Sequence, residues 1–67
     1  MPKLTIELFE GRTVDQKRLL CKKVTDAVAE SLGVRPEAVS IVLRDMKPED
    51  YCHGGIFRWD EVNGKQD

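Results

Sequence analysis

The chain has two cysteines, Cys21 and Cys52. These are too few for a disulfide scaffold, and neither stands in a C-x-x-C pair. Histidine occurs once, as His53, so no cluster with the spacing of metal ligands exists. The adjacent Cys52 and His53 read as loop residues, because neighbours in sequence rarely ligate one ion together. A long apolar run and a signal-peptide pattern are both missing, which leads us to expect a cytoplasmic chain with reduced thiols and no membrane association. Charge of one sign is missing too. The sequence has 11 Lys and Arg against 12 Asp and Glu, for a formal charge of −1, so no field recommends nucleic acid or an anionic membrane as partner. Repeats and low-complexity tracts are absent. At 67 residues the scarcest resource is length, since a chain this short buries a modest core unless disulfides, a metal or self-association supplement it.

What is present has a clear periodicity. From Lys3 to Leu8 the alternation is strict, with Leu4, Ile6 and Leu8 on one face and Lys3, Thr5 and Glu7 on the other, the pattern of a half-buried strand that ends at Phe9. Glu10-Gly11-Arg12 is a short loop. Thr13-Val14-Asp15-Gln16 matches a capping box, in which Thr13 accepts from the Gln16 amide and the Gln16 side chain reaches back. Leu20, Val24, Ala27, Val28 and Leu32 then recur at helical steps with Leu19 beside them, and Gly33 closes the helix. Cys21 reads as a partly buried small hydrophobe on it. Pro36 suits the first position of one further helical turn. Val39 to Asp45 reads as a second strand, with Val39, Ile41 and Leu43 facing one way. Strand, long helix and strand predict an α/β fold, a β-α-β unit with two parallel strands and a right-handed crossover.

Met46 to Asp50 reads as a polar loop, and Asp45, Glu49 and Asp50 as solvated acids. Gly54-Gly55, between Tyr51-Cys52-His53 and Ile56-Phe57-Arg58-Trp59, predicts a turn into a C-terminal hairpin arm whose apolar residues, Trp59 among them, clasp a neighbouring copy. The tail 60–67 is polar and expected to fray. One helix covers one face of a two-stranded sheet, so the single domain 1–67 is expected to form an oligomer.

Pro2 raises a chemical question. Proline is tolerated at the start of a strand, where no ladder donor is needed. If Met1 is removed, Pro2 presents a free secondary amine, which is both base and nucleophile. An α-amino group has a pKa of roughly 7.7 to 8.0, and each unit of depression needs only about 1.4 kcal/mol. Burial and a nearby arginine both push in that direction.

Taken together, the strand after Met1-Pro2, the run Glu10-Gly11-Arg12-Thr13 followed by Asp15-Gln16-Lys17, the helix with Val24-Thr25-Asp26-Ala27, the strand Val39 to Asp45 with Met46, and the Tyr51 to Gly55 loop resemble the short-chain 4-oxalocrotonate tautomerase family. The resemblance implies β-α-β subunits in a homo-oligomer, commonly a hexamer built as a trimer of dimers. It implies a cofactor-free isomerase in which Pro2 is the general base acting on a small enol or 2-oxo acid. Arg12 matches the loop arginine that grips a substrate carboxylate, which a guanidinium does with two parallel hydrogen bonds. Tyr51 matches an apolar wall position usually held by Phe. Elsewhere in the superfamily the same amine serves dehalogenases and decarboxylases, which need further polar residues that this sequence does not identify.

Ser40 departs from the family pattern, because the best-known members carry there a second arginine that polarises the substrate carbonyl. Such a cation contributes on the order of 3 to 4 kcal/mol, so the resemblance implies a monocarboxylate substrate over a dicarboxylate one, with Ser40 donating at most a neutral hydrogen bond. Arg44, Arg58 and His53 are the candidates for a replacement. A retained Met1 would make the Pro2 nitrogen an amide, and the chain a catalytically silent assembly module.

Overall fold

A computed structural model describes residues 1–64 of the 67. Strand β1 (Lys3–Phe9) and strand β2 (Ser40–Met46) pair in parallel, with Lys3 opposite Ser40 and Phe9 opposite Met46. The first strand behaves as its alternation predicts. The second begins and ends one residue later than expected, but Val39, Ile41 and Leu43 are all half-buried. In this register Leu4, Ile6 and Leu8 lie beside Ile41, Leu43 and Asp45 on the helix-facing side. Lys3, Thr5, Glu7 and Phe9 lie beside Ser40, Val42, Arg44 and Met46 on the other.

Helix α1 (Val14–Leu32) connects the strands. Its capping box forms as predicted: the Gln16 amide donates to Thr13 Oγ1 at 3.1 Å and the Thr13 amide to Gln16 Oε1 at 2.9 Å. Gly33 ends it in the left-handed region, φ 67°, and its N–H returns to the Ala29 carbonyl. The buried stripe differs in part from the one expected. Lys17, Leu20, Cys21, Val24, Thr25 and Val28 are half-buried and Ala29 is buried, whereas Ala27, Leu19 and Leu32 are exposed. Leu19 lies off the stripe. Leu32 is uncovered for a different reason: nineteen helical residues run about 28 Å and seven strand residues about 23 Å. The helix therefore overhangs the sheet, and Val14 and Leu32 near its two ends are each 62% exposed.

Pro36 does open a single turn of 3-10 helix, Pro36–Ala38, and a second such turn spans Pro48–Asp50 within the expected loop. The predicted hairpin forms from β3 (Cys52–His53) and β4 (Ile56–Phe57), which pair antiparallel. Gly54 and Gly55 both have positive φ, 57° and 81°, as a two-residue hairpin turn of matching twist requires.

The expected fraying tail is corrected in part. Asp60 to Asn63 belongs to helix α2 (Arg58–Asn63), while residues 65–67 lie outside those described. Phe57 precedes this helix and supplies no side-chain cap, so the usual start signal is missing. What closes it is Asn63, whose side-chain amide donates to the Trp59 carbonyl at 2.9 Å. Ala29 is the one buried hydrophobic residue among those described, and Ile56, Phe57, Trp59 and Val62 stand exposed along the arm.

Candidate active site

The residues singled out in the sequence fall at opposite ends of the sheet. Pro2 and Ser40 meet at one end, where the Ser40 amide donates to the Pro2 carbonyl at 3.0 Å. Pro2 is half-buried and Ser40 exposed. Pro2 has the strand parity of Leu4, Ile6 and Leu8, which face the helix.

Arg12 stands at the other end. Its loop is pinned on one side by the Glu10 amide, which donates to the Met46 carbonyl at 2.9 Å, and on the other by the capping box at Thr13. Leu8, Arg12, Gln16, Lys17 and Leu20 line a cleft of about 200 Å³. Of its two cations, Lys17 is committed to Asp45 at 3.0 Å. This corrects the reading of Asp45 as a solvated acid, although its side chain is still 43% exposed. Arg12 makes no ion pair among the described residues, so its guanidinium is available to an anion. The cleft is smaller than the roughly 300 Å³ at which small-molecule pockets begin.

Tyr51 belongs to this second end as well. It meets the Phe9 ring edge-on, with centroids 5.4 Å apart and planes at 84°, and lies 6.0 Å from the His53 ring. The Arg58 guanidinium stacks over Phe9 at 5.5 Å, and the Arg58 amide donates to the Tyr51 carbonyl at 2.9 Å. Glu61 sits 3.8 Å from both Arg58 and His53. Sequence reasoning missed Phe9 as the platform of this cluster and Glu61 as a member. Phe9 looked like a strand terminus, and Glu61 fell in the tail assumed to fray. Asp60 and Glu61 together, acids suited to a first helical turn, were the available signal. No group of three His, Cys, Asp or Glu converges among the described residues.

Six residues of strand separate Pro2 from Leu8, about 20 Å. One chain therefore does not bring the amine to Arg12 or Tyr51.

The Tautomerase enzyme family matches residues 2–60 of this sequence. The chain belongs to the tautomerase family. Tautomerases are isomerases. A probable tautomerase of Listeria monocytogenes is 43% identical over 60 residues, covering 90% of this chain and 98% of the relative. The 2-hydroxymuconate tautomerase of Bacillus subtilis is 40% identical over 55 residues, covering 82% and 89%. Among solved structures, a 4-oxalocrotonate tautomerase isozyme of Methylibium petroleiphilum superposes with a TM-score of 0.89 at 34% identity, covering 92% of this chain and 97% of that one. A heterohexameric 4-oxalocrotonate tautomerase of Chloroflexus aurantiacus gives 0.84 at 28%, covering 90% and 97%. The β-α-β unit of this tautomerase, with its parallel pair, long helix and C-terminal hairpin, is the fold these proteins share. No helix among its described residues is long and apolar enough to cross a membrane.

Proposed function

We propose that this tautomerase moves a proton from oxygen to carbon on a small enol of a 2-oxo monocarboxylic acid, with the amine of Pro2 as general base once Met1 is removed. The amine takes the enol hydroxyl proton, the carbonyl forms as the double-bond electrons shift, and the resulting ammonium returns the proton to carbon. Atoms and charge balance within the substrate, so no cofactor takes part. Arg12 holds the carboxylate, Tyr51 walls the pocket, and Ser40 contributes a neutral hydrogen bond where relatives carry a second cation. We place the protein in the reducing cytoplasm, a reading consistent with its two free cysteines.

The observation that carries the reading is the separation of about 20 Å between Pro2 and the end that holds Arg12 and Tyr51. A small keto acid spans a fraction of that distance, so the amine of one copy works against the Arg12 and Tyr51 end of another. The active unit is accordingly a homo-oligomer, for which a hexamer built as a trimer of dimers is the arrangement we favour. The exposed residues of the arm, Ile56, Phe57 and Trp59, clasp the neighbouring copy.

Mass spectrometry of the protein from its native cell, combined with ketonisation of enolpyruvate, tests the base. We expect loss of one methionine mass, a neutral amine at pH 7 by ¹⁵N titration, and a decrease of about 10² or more in kcat for Pro2→Ala. Equal rates for wild type and variant would remove Pro2 as the base, and a retained Met1 with no ketonisation would leave a silent assembly module.

A further inference from the structure

The cleft of about 200 Å³ beside the Arg12 loop has three polar side chains in its lining, Arg12, Gln16 and Lys17. Two of them are already engaged within the chain. The Gln16 side-chain oxygen accepts the Thr13 amide at 2.9 Å as part of the helix cap, and Lys17 Nζ donates to Asp45 Oδ2 at 3.0 Å. Asp45 stands in the helix-facing row of β2 after Ile41 and Leu43, and its ladder partner is Leu8, an apolar wall of the same cleft. It is the charged member of that row. Lys17 is likewise a cation on the half-buried stripe of α1, with a side chain 28% exposed against 43% for Asp45. A pair this open to water adds little to stability. What it does change is the charge presented to a ligand: with Asp45 in place Arg12 is the one uncommitted cation lining the cleft, and without it there would be two.

A first carboxylate entering the cleft meets Arg12 at no cost to an existing bond, whereas a second on the same small molecule has to take Lys17 from Asp45. We propose that Asp45 is a specificity-determining residue of this cleft, which occupies Lys17 so that one carboxylate is bound and a second is disfavoured. The inference rests on the reading of Arg12 as the carboxylate grip. Asp45 acts through Lys17 and not on the reacting atoms. It adds a determinant at the Arg12 end of the sheet to the one that Ser40 makes at the Pro2 end.

Malonate and its half-amide, malonamate, share a skeleton and differ by one carboxylate. Binding of each is measured by calorimetry on the intact oligomer for wild type, Asp45→Asn, Asp45→Asn with Lys17→Gln, and Arg12→Gln. Removing a negative charge strengthens every nearby anion somewhat, so the ratio of the two affinities is the readout. For Asp45→Asn we expect malonate to tighten about tenfold and malonamate no more than about twofold, because the released ammonium gives the second carboxylate a charge-assisted hydrogen bond. Adding Lys17→Gln should return the ratio to that of wild type. In turnover, the kcat/KM of Asp45→Asn for 2-hydroxymuconate over enolpyruvate should rise by a similar factor, mainly through KM. If Asp45→Asn does not assemble, Asp45→Ser removes the same charge and carries the decision. A ratio indifferent to residue 45, or a gain that survives Lys17→Gln, overturns the assignment. An Arg12→Gln that binds both ligands as wild type does would remove the carboxylate grip and this assignment with it. The binding arm is independent of turnover: a ratio governed by Asp45 and Lys17 in a protein that fails to ketonise enolpyruvate sinks the proposed function and leaves this role standing.

Discussion

Ser40 carries a hydroxyl at the strand position that the family resemblance matches to an arginine, and its exposed side chain leaves room for a longer one. A neutral donor there cannot balance a second carboxylate, so at this end of the sheet the monocarboxylate preference we propose rests on one side chain. Ser40→Arg should shift the ratio of kcat/KM for a dicarboxylate over a monocarboxylate enol upward by about 10². Parallel assays on 2-hydroxymuconate and enolpyruvate read that ratio directly, and a ratio unmoved by the substitution would mean that residue 40 does not face substrate. The placement of Pro2, Arg12 and Ser40 along the chain's elements could be read from the sequence, because each adjoins a strong local signal: a strand start, a helix cap or a strand alternation. The surroundings of Arg58 could not. Its stack on Phe9 joins residues far apart in the chain, and neither periodicity nor capping reaches that distance.

At the scale of the element, α1 depends on its first turn. The Thr13 hydroxyl and the Gln16 side chain satisfy two amides that would otherwise lack partners, and the same bonds fix the loop that presents Arg12. Thr13→Ala should cost about 1 kcal/mol of stability, read as a lower urea midpoint with unchanged slope. It should also raise KM, because the loop arginine loses its anchor. The Lys17 to Asp45 pair, 28% and 43% exposed, is worth no more than about 1 kcal/mol, so its main effect is to leave Arg12 as the uncommitted cation of the cleft. Helix α2 escaped a reading from sequence because six residues carry too little periodicity and Phe57 is no N-cap.

The whole molecule is an open slab. Its radius of gyration is 15.9 Å and its extents 53 × 25 × 14 Å, against about 11 Å for a compact chain of this length. Its surface of 5447 Å² exceeds the roughly 4,300 Å² expected of a folded monomer of this mass by about a quarter. Phe57, Ile56, Val42 and Leu32 contribute to that excess, and one buried hydrophobic residue among those described cannot offset the conformational entropy of the chain alone. The melting temperature should therefore rise with protein concentration, since association is linked to folding. Phe57→Asp should lower the mass seen by light scattering and abolish ketonisation together; a monomeric, folded and active Phe57→Asp would refute a shared site.

The sequence by itself determined the elements, their order and the residues worth testing, because alternation, capping and glycine turns act over a few neighbouring positions. It also placed the chain beside a known family through short runs of residues. Only the tertiary structure decided that Ser40 meets Pro2 across the sheet, that the helix outruns its strands, and that Arg58 rests on Phe9 beside Tyr51. Those outcomes depend on strand register, relative element lengths and the return path of the arm, which come from the packing of distant segments rather than from any local pattern.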